Sequence, residues 1–210
     1  PKYKRFLCDV KDGVTWTTLW DFVPLNTSGS IEMKEILGNS VMFENPKPVG
    51  LLKCLVELAS SKDCFILDFF SGSGTTAHAV MQLNAEDGGS RQCISVQLPE
   101  ITEGKSEAFK AGYKNIAEIS KERIRRAGNK IKEDNADKDG IENLDTGFRV
   151  FKIDSSNMVD VHLSPDEAHP DMFDEQVGNI KKDRSSEDLL FQVLLGWGVD
   201  LSLPINREDI

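Results

Sequence analysis

Residues 64–77, CFILDFFSGSGTTA, constrain this chain more than any other stretch. Cys64 to Phe69, apolar except for Asp68, has the pattern of a strand buried in a parallel sheet. Phe70, Ser71, Gly72, Ser73 and Gly74 then make a tight turn, and a helix begins at Thr75, with Thr75 or Thr76 able to cap it. Strand, glycine turn and helix N-terminus together collect unpaired backbone N–H groups around a small ligand. Gly72-x-Gly74-x-x-Ala77 fits the dinucleotide pattern G-x-G-x-x-G/A, which makes a nicotinamide or flavin site one candidate. No Lys follows the glycines, so a phosphate-cradling P-loop is excluded. Asp68, at the carboxyl end of the strand, would repel a pyrophosphate and suits a ligand bearing a positive group such as an ammonium.

S-adenosylmethionine carries an ammonium, a sulfonium and a single carboxylate. The run D-F-F-S-G-S-G-T-T at 68–76 closely resembles the cofactor motif of amino-methylating DNA methyltransferases, usually D-P-F-x-G-S-G-T-T, with Phe69 in place of the Pro. The resemblance implies S-adenosylmethionine as cofactor, held by Asp68, Phe69, Phe70, Ser71, Gly72, Gly74, Thr75 and Thr76. Upstream, Asn45-Pro46-Lys47-Pro48 forces an extended backbone and then releases into a helix, VGLLKCLVELAS. Val49, Leu52, Val56 and Ala59, flanked by Leu51, Leu55 and Leu58, give that helix a broad apolar face for burial against a sheet. By itself N-P-K-P is a helix start. About twenty residues ahead of the glycine motif it resembles the segment where a Lys-Pro pair holds the cofactor's methionine end, which implies roles for Asn45, Lys47 and Pro48.

The helix from Thr75 directs Ala79, Val80 and Leu83 inward and ends near Asn84, before the polar turn AEDGGSR. Residues 92–98, QCISVQL, form a second parallel strand and complete a β-α-β unit. In related folds an acidic side chain at this strand's end bonds the ribose hydroxyls; here the place holds Gln97, with Glu100 three residues on, and the two remain alternatives. A helix is expected from Glu107 to about Lys132, with Ile116, Ile119, Ile124, Ala127 and Ile131 on one face. Its basic cluster, Lys121, Arg123, Arg125, Arg126, Lys130 and Lys132, reads as a solvated face on a helix packed against the sheet, with a DNA-facing role as the alternative. Residues 133–140 read as a linker or exposed turn.

In residues 1–44, PKYKRFLCDV reads as a strand or its approach, Trp16 and Trp20 as a packing plug, and 26–30 as a loop whose Ser30 caps a helix through Leu37. GFRVFKID reads as a strand burying Val150 and Phe151; 154–185 is acidic loop or weak helix; Ser185, Ser186, Glu187 and Asp188 open a helix running to Trp197. GFRVFKIDSSN and SSEDLLFQVLLGWGVDLSLP resemble the C-terminal region of modification subunits of type III restriction–modification systems. The expected architecture is α/β: a Rossmann-like S-adenosylmethionine-dependent methyltransferase core, a parallel sheet flanked by helices, with a small C-terminal α+β extension. The division is 1–44 as a connector following a catalytic and target-recognition half, 45–135 as the cofactor-binding core, and 136–210 as the extension that can dock a subunit.

The resemblance implies methylation of adenine N6. That chemistry needs acceptors for the amino hydrogens and an aromatic ring to hold the flipped base. A D/N/S-P-P-aromatic tetrapeptide supplies both, and none is present, so no catalytic residue is assigned. The chain opens at Pro1 without Met and is expected to be the C-terminal half of a DNA methyltransferase, inactive alone. Formal charge is −10, from 25 Lys and Arg against 35 Asp and Glu, which argues against this piece being the main DNA-gripping surface. DNA is expected to be contacted through the full-length protein, with a restriction subunit and a second modification subunit as partners. Rival readings are a dinucleotide-dependent oxidoreductase using the glycine turn and a non-catalytic assembly module. Cys8, Cys54, Cys64 and Cys93 form no C-x-x-C pair and are expected to be inert core thiols in a reducing cytoplasm. His78, His162 and His169 form no ligand-spaced cluster, so no metal is expected. No apolar run approaches about 18 residues, and no membrane association is expected.

Overall fold

The computed structural model describes residues 18–38, 42–159, 178–206 and 208. The expected strand at 1–10, Trp16, Cys8, His162 and His169 lie outside the described residues. The chain divides into two compact units, Pro1–Gly147 and Phe148–Ile210.

In the first unit, β1 (Phe65–Asp68) and β2 (Gln92–Ser95) pair in parallel, Asp68 opposite Ser95, and helix α3 (Thr75–Asp87) makes the crossover. Helix α2 (Val49–Ala59) packs on α3, and their Val56, Val80 and Leu83 cover Ile66 and Cys93 on one face of the sheet. Phe65, Leu67 and Ile94, which point the other way by strand alternation, are exposed. The broad apolar face expected for α2 is narrower in fact: Val49 and Val56 are buried, whereas Leu55, Leu58 and Ala59 are exposed, because α3 meets only one stripe of the helix.

Helix α3 is buried along most of its length and carries Ala79, Val80 and Leu83 inward as its spacing requires. It continues past Asn84 to Asp87. The Asn84 side chain faces the turn instead of stopping the helix: its Nδ2 donates to the Arg91 carbonyl at 2.8 Å and its Oδ1 accepts from the Arg91 N–H at 3.2 Å. Gly88, at φ 68°, closes the helix by donating to the Asn84 carbonyl. Arg91 is bound in turn by both carboxylate oxygens of Asp87, which holds that carboxyl below its ordinary range.

The single helix expected over 107–132 is two, a short α4 (Glu107–Lys110) and a long α5 (Ile116–Asp134). Gly112 at φ 95° ends one, and Asn115 caps the other by accepting the Glu118 N–H at 3.0 Å. Helix α5 packs mainly on α3 and on α1 (Asn26–Leu37), and buries Ile119, Ile124, Ala127 and Ile131 with Met33, Ile36 and Leu37, a cluster that Cys93 of β2 borders. Asn26 through Ser30 lie inside α1, contrary to the expected loop, and Ser30 caps nothing. Tertiary contact overrides the weak local preference: Gly29 lies against the Pro46 backbone, where an added Cβ would stand 2.1 Å from the carbonyl oxygen.

In the second unit, α6 (Ser186–Gly196) opens on the expected capping chemistry, Ser185 and Asp188 bonding each other's backbone N–H groups. GFRVFKID is not a strand: Val150 and Phe151 are each 52% exposed. Side chains hold this segment in place of a ladder. Arg149 donates to the carbonyls of Leu201 and Leu203, and the Phe151 ring meets Phe191 edge-on at 5.1 Å. The described residues of this unit contain one isolated bridge, Met158 with Ile180, and no strand pair.

Candidate functional site: the glycine turn after β1

The residues between β1 and α3 are pinned to the end of β2. The Val96 N–H donates to the Asp68 carbonyl at 2.8 Å, the Ser71 N–H to the Val96 carbonyl at 3.1 Å, and the Gly72 N–H to the Gln97 side-chain oxygen at 2.7 Å. Gly72 and Gly74 stand at φ 53° and 78°, a region that other residues enter at a cost. The cap of α3 is Gly74, not Thr75 or Thr76. Those hydroxyls have other uses. Thr76 Oγ1 donates to Asp68 Oδ2 at 2.5 Å, and Asp68 Oδ1 accepts the Phe70 N–H at 3.1 Å. Both carboxylate oxygens thus shape the turn, and each retains a lone pair for a cationic ligand.

Around this carboxylate the turn offers mixed chemistry. The Ser71 hydroxyl is buried with no hydrogen-bond partner. Phe69 and Phe70 are 64% and 90% exposed, so their rings are available for contact. The approach to Asn45 reaches the same place: the Phe43 ring lies where a Cβ on Gly72 would stand 3.2 Å from it. Asn45 takes a positive φ of 54°, Lys47 is exposed, and Pro48 is fully buried at the start of α2. The Val49 N–H, freed at that helix start, donates to Glu32 Oε2 on α1 at 2.8 Å.

Behind the turn lies Arg123 of α5, fully buried. Its Nη1 donates to Ser73 Oγ at 2.8 Å and to Thr75 Oγ1 at 2.7 Å, while Nε and Nη2 have no partner. Burial lowers its pKa to about 10, opposed by the negative charge of Glu32. Sequence reasoning placed Arg123 on a solvated basic face. That description suits its neighbours: Lys121 pairs with Glu118, Arg125 and Arg126 with Glu122, and Lys130 with Glu35. The overlooked signal was register, since Arg123 lies four residues from both Ile119 and Ala127, on the stripe that α5 buries.

Of the two residues considered for a ribose contact, Gln97 has its oxygen on Gly72 and its Nε2 on the Leu98 carbonyl. The Glu100 carboxylate is exposed and makes no hydrogen bond or ion pair among the described residues. The next residue, Ile101, lines a mostly apolar cavity of about 410 Å³ with Phe109, Gly112, Lys114 and Asn115. Among the described residues no group of three or more His, Cys, Asp or Glu is arranged to hold a metal ion, and no helix is long and apolar enough to cross a membrane.

A strand-end carboxylate is thus joined through two positive-φ glycines to a helix, and the wider kinship of the chain is plain in its sequence. The N6/N4 methyltransferase family, described as DNA methylase, matches residues 2–125, and the chain belongs to that family. Among its relatives, the type III restriction–modification enzyme StyLTI Mod subunit of Salmonella typhimurium is 45% identical over 141 residues, 67% of this chain and 21% of that protein. The EcoPI Mod subunit of Escherichia phage P1 is 38% identical over 164 residues, 75% of this chain and 25% of the subunit. The type II methyltransferase M.KpnI of Klebsiella pneumoniae is 36% identical over 108 residues, 51% of this chain and 26% of that enzyme. The chain spans about a quarter or less of the length of these relatives.

Proposed function

We propose that the chain is the cofactor-holding part of a site-specific DNA methyltransferase that modifies adenine N6 within a type III restriction–modification system. The observation that carries this reading is the glycine turn itself, with Asp68 at its base and an orphaned Ser71 hydroxyl beside it. These residues fit S-adenosylmethionine. Asp68 has lone pairs for the ammonium; Asn45, Lys47 and Pro48 supply the segment that reaches the turn through Phe43; Lys47 has the charge for the carboxylate. Glu100, free where Gln97 is engaged, is the better acceptor for ribose hydroxyls, and the apolar cavity beginning at Ile101 suits the purine. Phe69, Phe70, Ser71, Gly72, Gly74, Thr75 and Thr76 shape the wall between them.

When bound, S-adenosylmethionine supplies an electrophilic sulfonium methyl. The residues of this chain bind and orient it; the acceptors for the adenine amine and the ring that holds the flipped base come from a D/N/S-P-P-aromatic segment outside this sequence. The exposed face of Phe65, Leu67 and Ile94 supports the same division, because parallel sheets are normally covered on both faces and built from more than two strands. In this reading β1 and β2 belong to a larger Rossmann-like sheet completed by the catalytic half. DNA, a restriction subunit and a second modification subunit are the partners of the whole protein, in the cytoplasm.

Tritiated-methyl transfer to adenine-containing duplexes tests the proposal. The purified chain alone should incorporate no label above a Gly72→Arg control, and supplying the complementary half as a second polypeptide should restore incorporation. Label transferred by the chain alone would contradict the assignment, as would a restored activity that Gly72→Arg leaves intact.

A further inference from the structure

We propose that Arg123 is a positioning residue for the methyl-donor site: from α5 it holds the hydroxyls of Ser73 and Thr75, and thereby fixes the glycine turn against which the cofactor rests. The proposal rests on the cofactor reading above. Arg123 acts through the two hydroxyls.

Three observations carry it. The guanidinium is fully buried in a stripe otherwise made of Ile119, Ala127 and Ile131, where an apolar side chain would pack at lower desolvation cost. Only one of its nitrogens is satisfied, and that one is aimed at residues 73 and 75, on either side of Gly74. Gly74 itself is pressed against α5, a Cβ there standing 2.8 Å from Ser120 Oγ, so turn and helix meet closely enough for a fixed Nη1 to set the turn. A second link runs the other way. Glu32, a half-buried carboxylate whose charge favours the Arg123 cation, accepts the Val49 N–H, so the segment 45–49 and the glycine turn answer to two charges that interact with each other. A group present only for packing would not concentrate its donors on the cofactor turn while leaving two others unpaired.

The test compares the 210-residue chain with Arg123→Met and Arg123→Lys by amide hydrogen exchange, thermal unfolding and calorimetric titration with S-adenosylhomocysteine. Arg123→Met should unfold at the same temperature or higher, because an unpaired buried charge is removed. Its amides at 72–76 should nevertheless exchange at least about tenfold faster, and its affinity should fall about tenfold to a hundredfold, the range for losing hydrogen bonds to a charged group. Arg123→Lys, which can still reach one hydroxyl, should lie between. A folded Arg123→Met with unchanged exchange at 72–76, or with affinity within about threefold of the parent, overturns the proposal. If the parent itself binds no S-adenosylhomocysteine, the cofactor reading fails and the exchange rates alone decide whether Arg123 sets the turn. If Arg123→Met does not fold, Ser73→Ala removes one acceptor and carries the same comparison.

Discussion

His78 shows how one side chain ties stability to pH here. It lies in the first turns of α3, buried, with Nδ1 lacking a partner, and its pKa falls from 6.5 to about 3. Burial is the main cause, and the positive charges of Arg123, Lys130 and Lys53 add to it. A group whose folded pKa lies below its unfolded value takes up its proton in the unfolded chain first. Stability should therefore be insensitive to this residue above about pH 7 and fall as pH drops from 6.5 toward 3, by up to about 1.4 kcal/mol per pH unit. Urea midpoints between pH 7 and 5 isolate the effect, because the depressed carboxyls of Asp87 and Glu122 titrate lower. His78→Gln should flatten the slope in that window. An unchanged slope would mean that the imidazole accepts its proton in the folded state.

At the scale of elements, α3 and α5 meet closely at the glycine turn. Gly74→Ala places a Cβ 2.8 Å from Ser120 Oγ and 3.2 Å from Ile124 Cγ1 on a backbone at φ 78°. Strain of this kind costs on the order of 1–3 kcal/mol, and the variant should lose that much stability in denaturant titration and bind S-adenosylhomocysteine more weakly. Full stability in Gly74→Ala would show that the turn tolerates another path. The strand, turn and helix of residues 64–77 were legible because apolar run, glycine pair and helix start follow one another without ambiguity. The break at 111–115 was not, since Gly112 and Asn115 interrupt a periodicity that counts apolar residues only. Nor was the first turn of α1, which is polar and lies with Gly29 against the Pro46 backbone, although the helix through Leu37 was. Caps also misled: Thr75 and Thr76 are good cap residues, but Asp68 and Arg123 engage their hydroxyls across space.

At the scale of the whole molecule, the net charge of −10 and the open sheet face agree with the proposed division, in which this part holds the cofactor and leaves DNA to other surfaces. Family and glycine turn were readable because their residues are consecutive. Arg123 and Phe43 were not, because each reaches the turn from a distant segment, 50 residues away for Arg123 and Ser73. The account stands on Asp68 as an acceptor for the methyl donor's ammonium, and calorimetric titration of S-adenosylhomocysteine tests it most directly. The parent chain should bind one equivalent and ignore NAD, while Asp68→Ala should lose a factor of tens to thousands in affinity, the range of about 2–5 kcal/mol for removing one partner of a partly buried charge pair. Saturable binding of NAD in place of S-adenosylhomocysteine, or a folded Asp68→Ala that binds within about threefold of the parent, would contradict it.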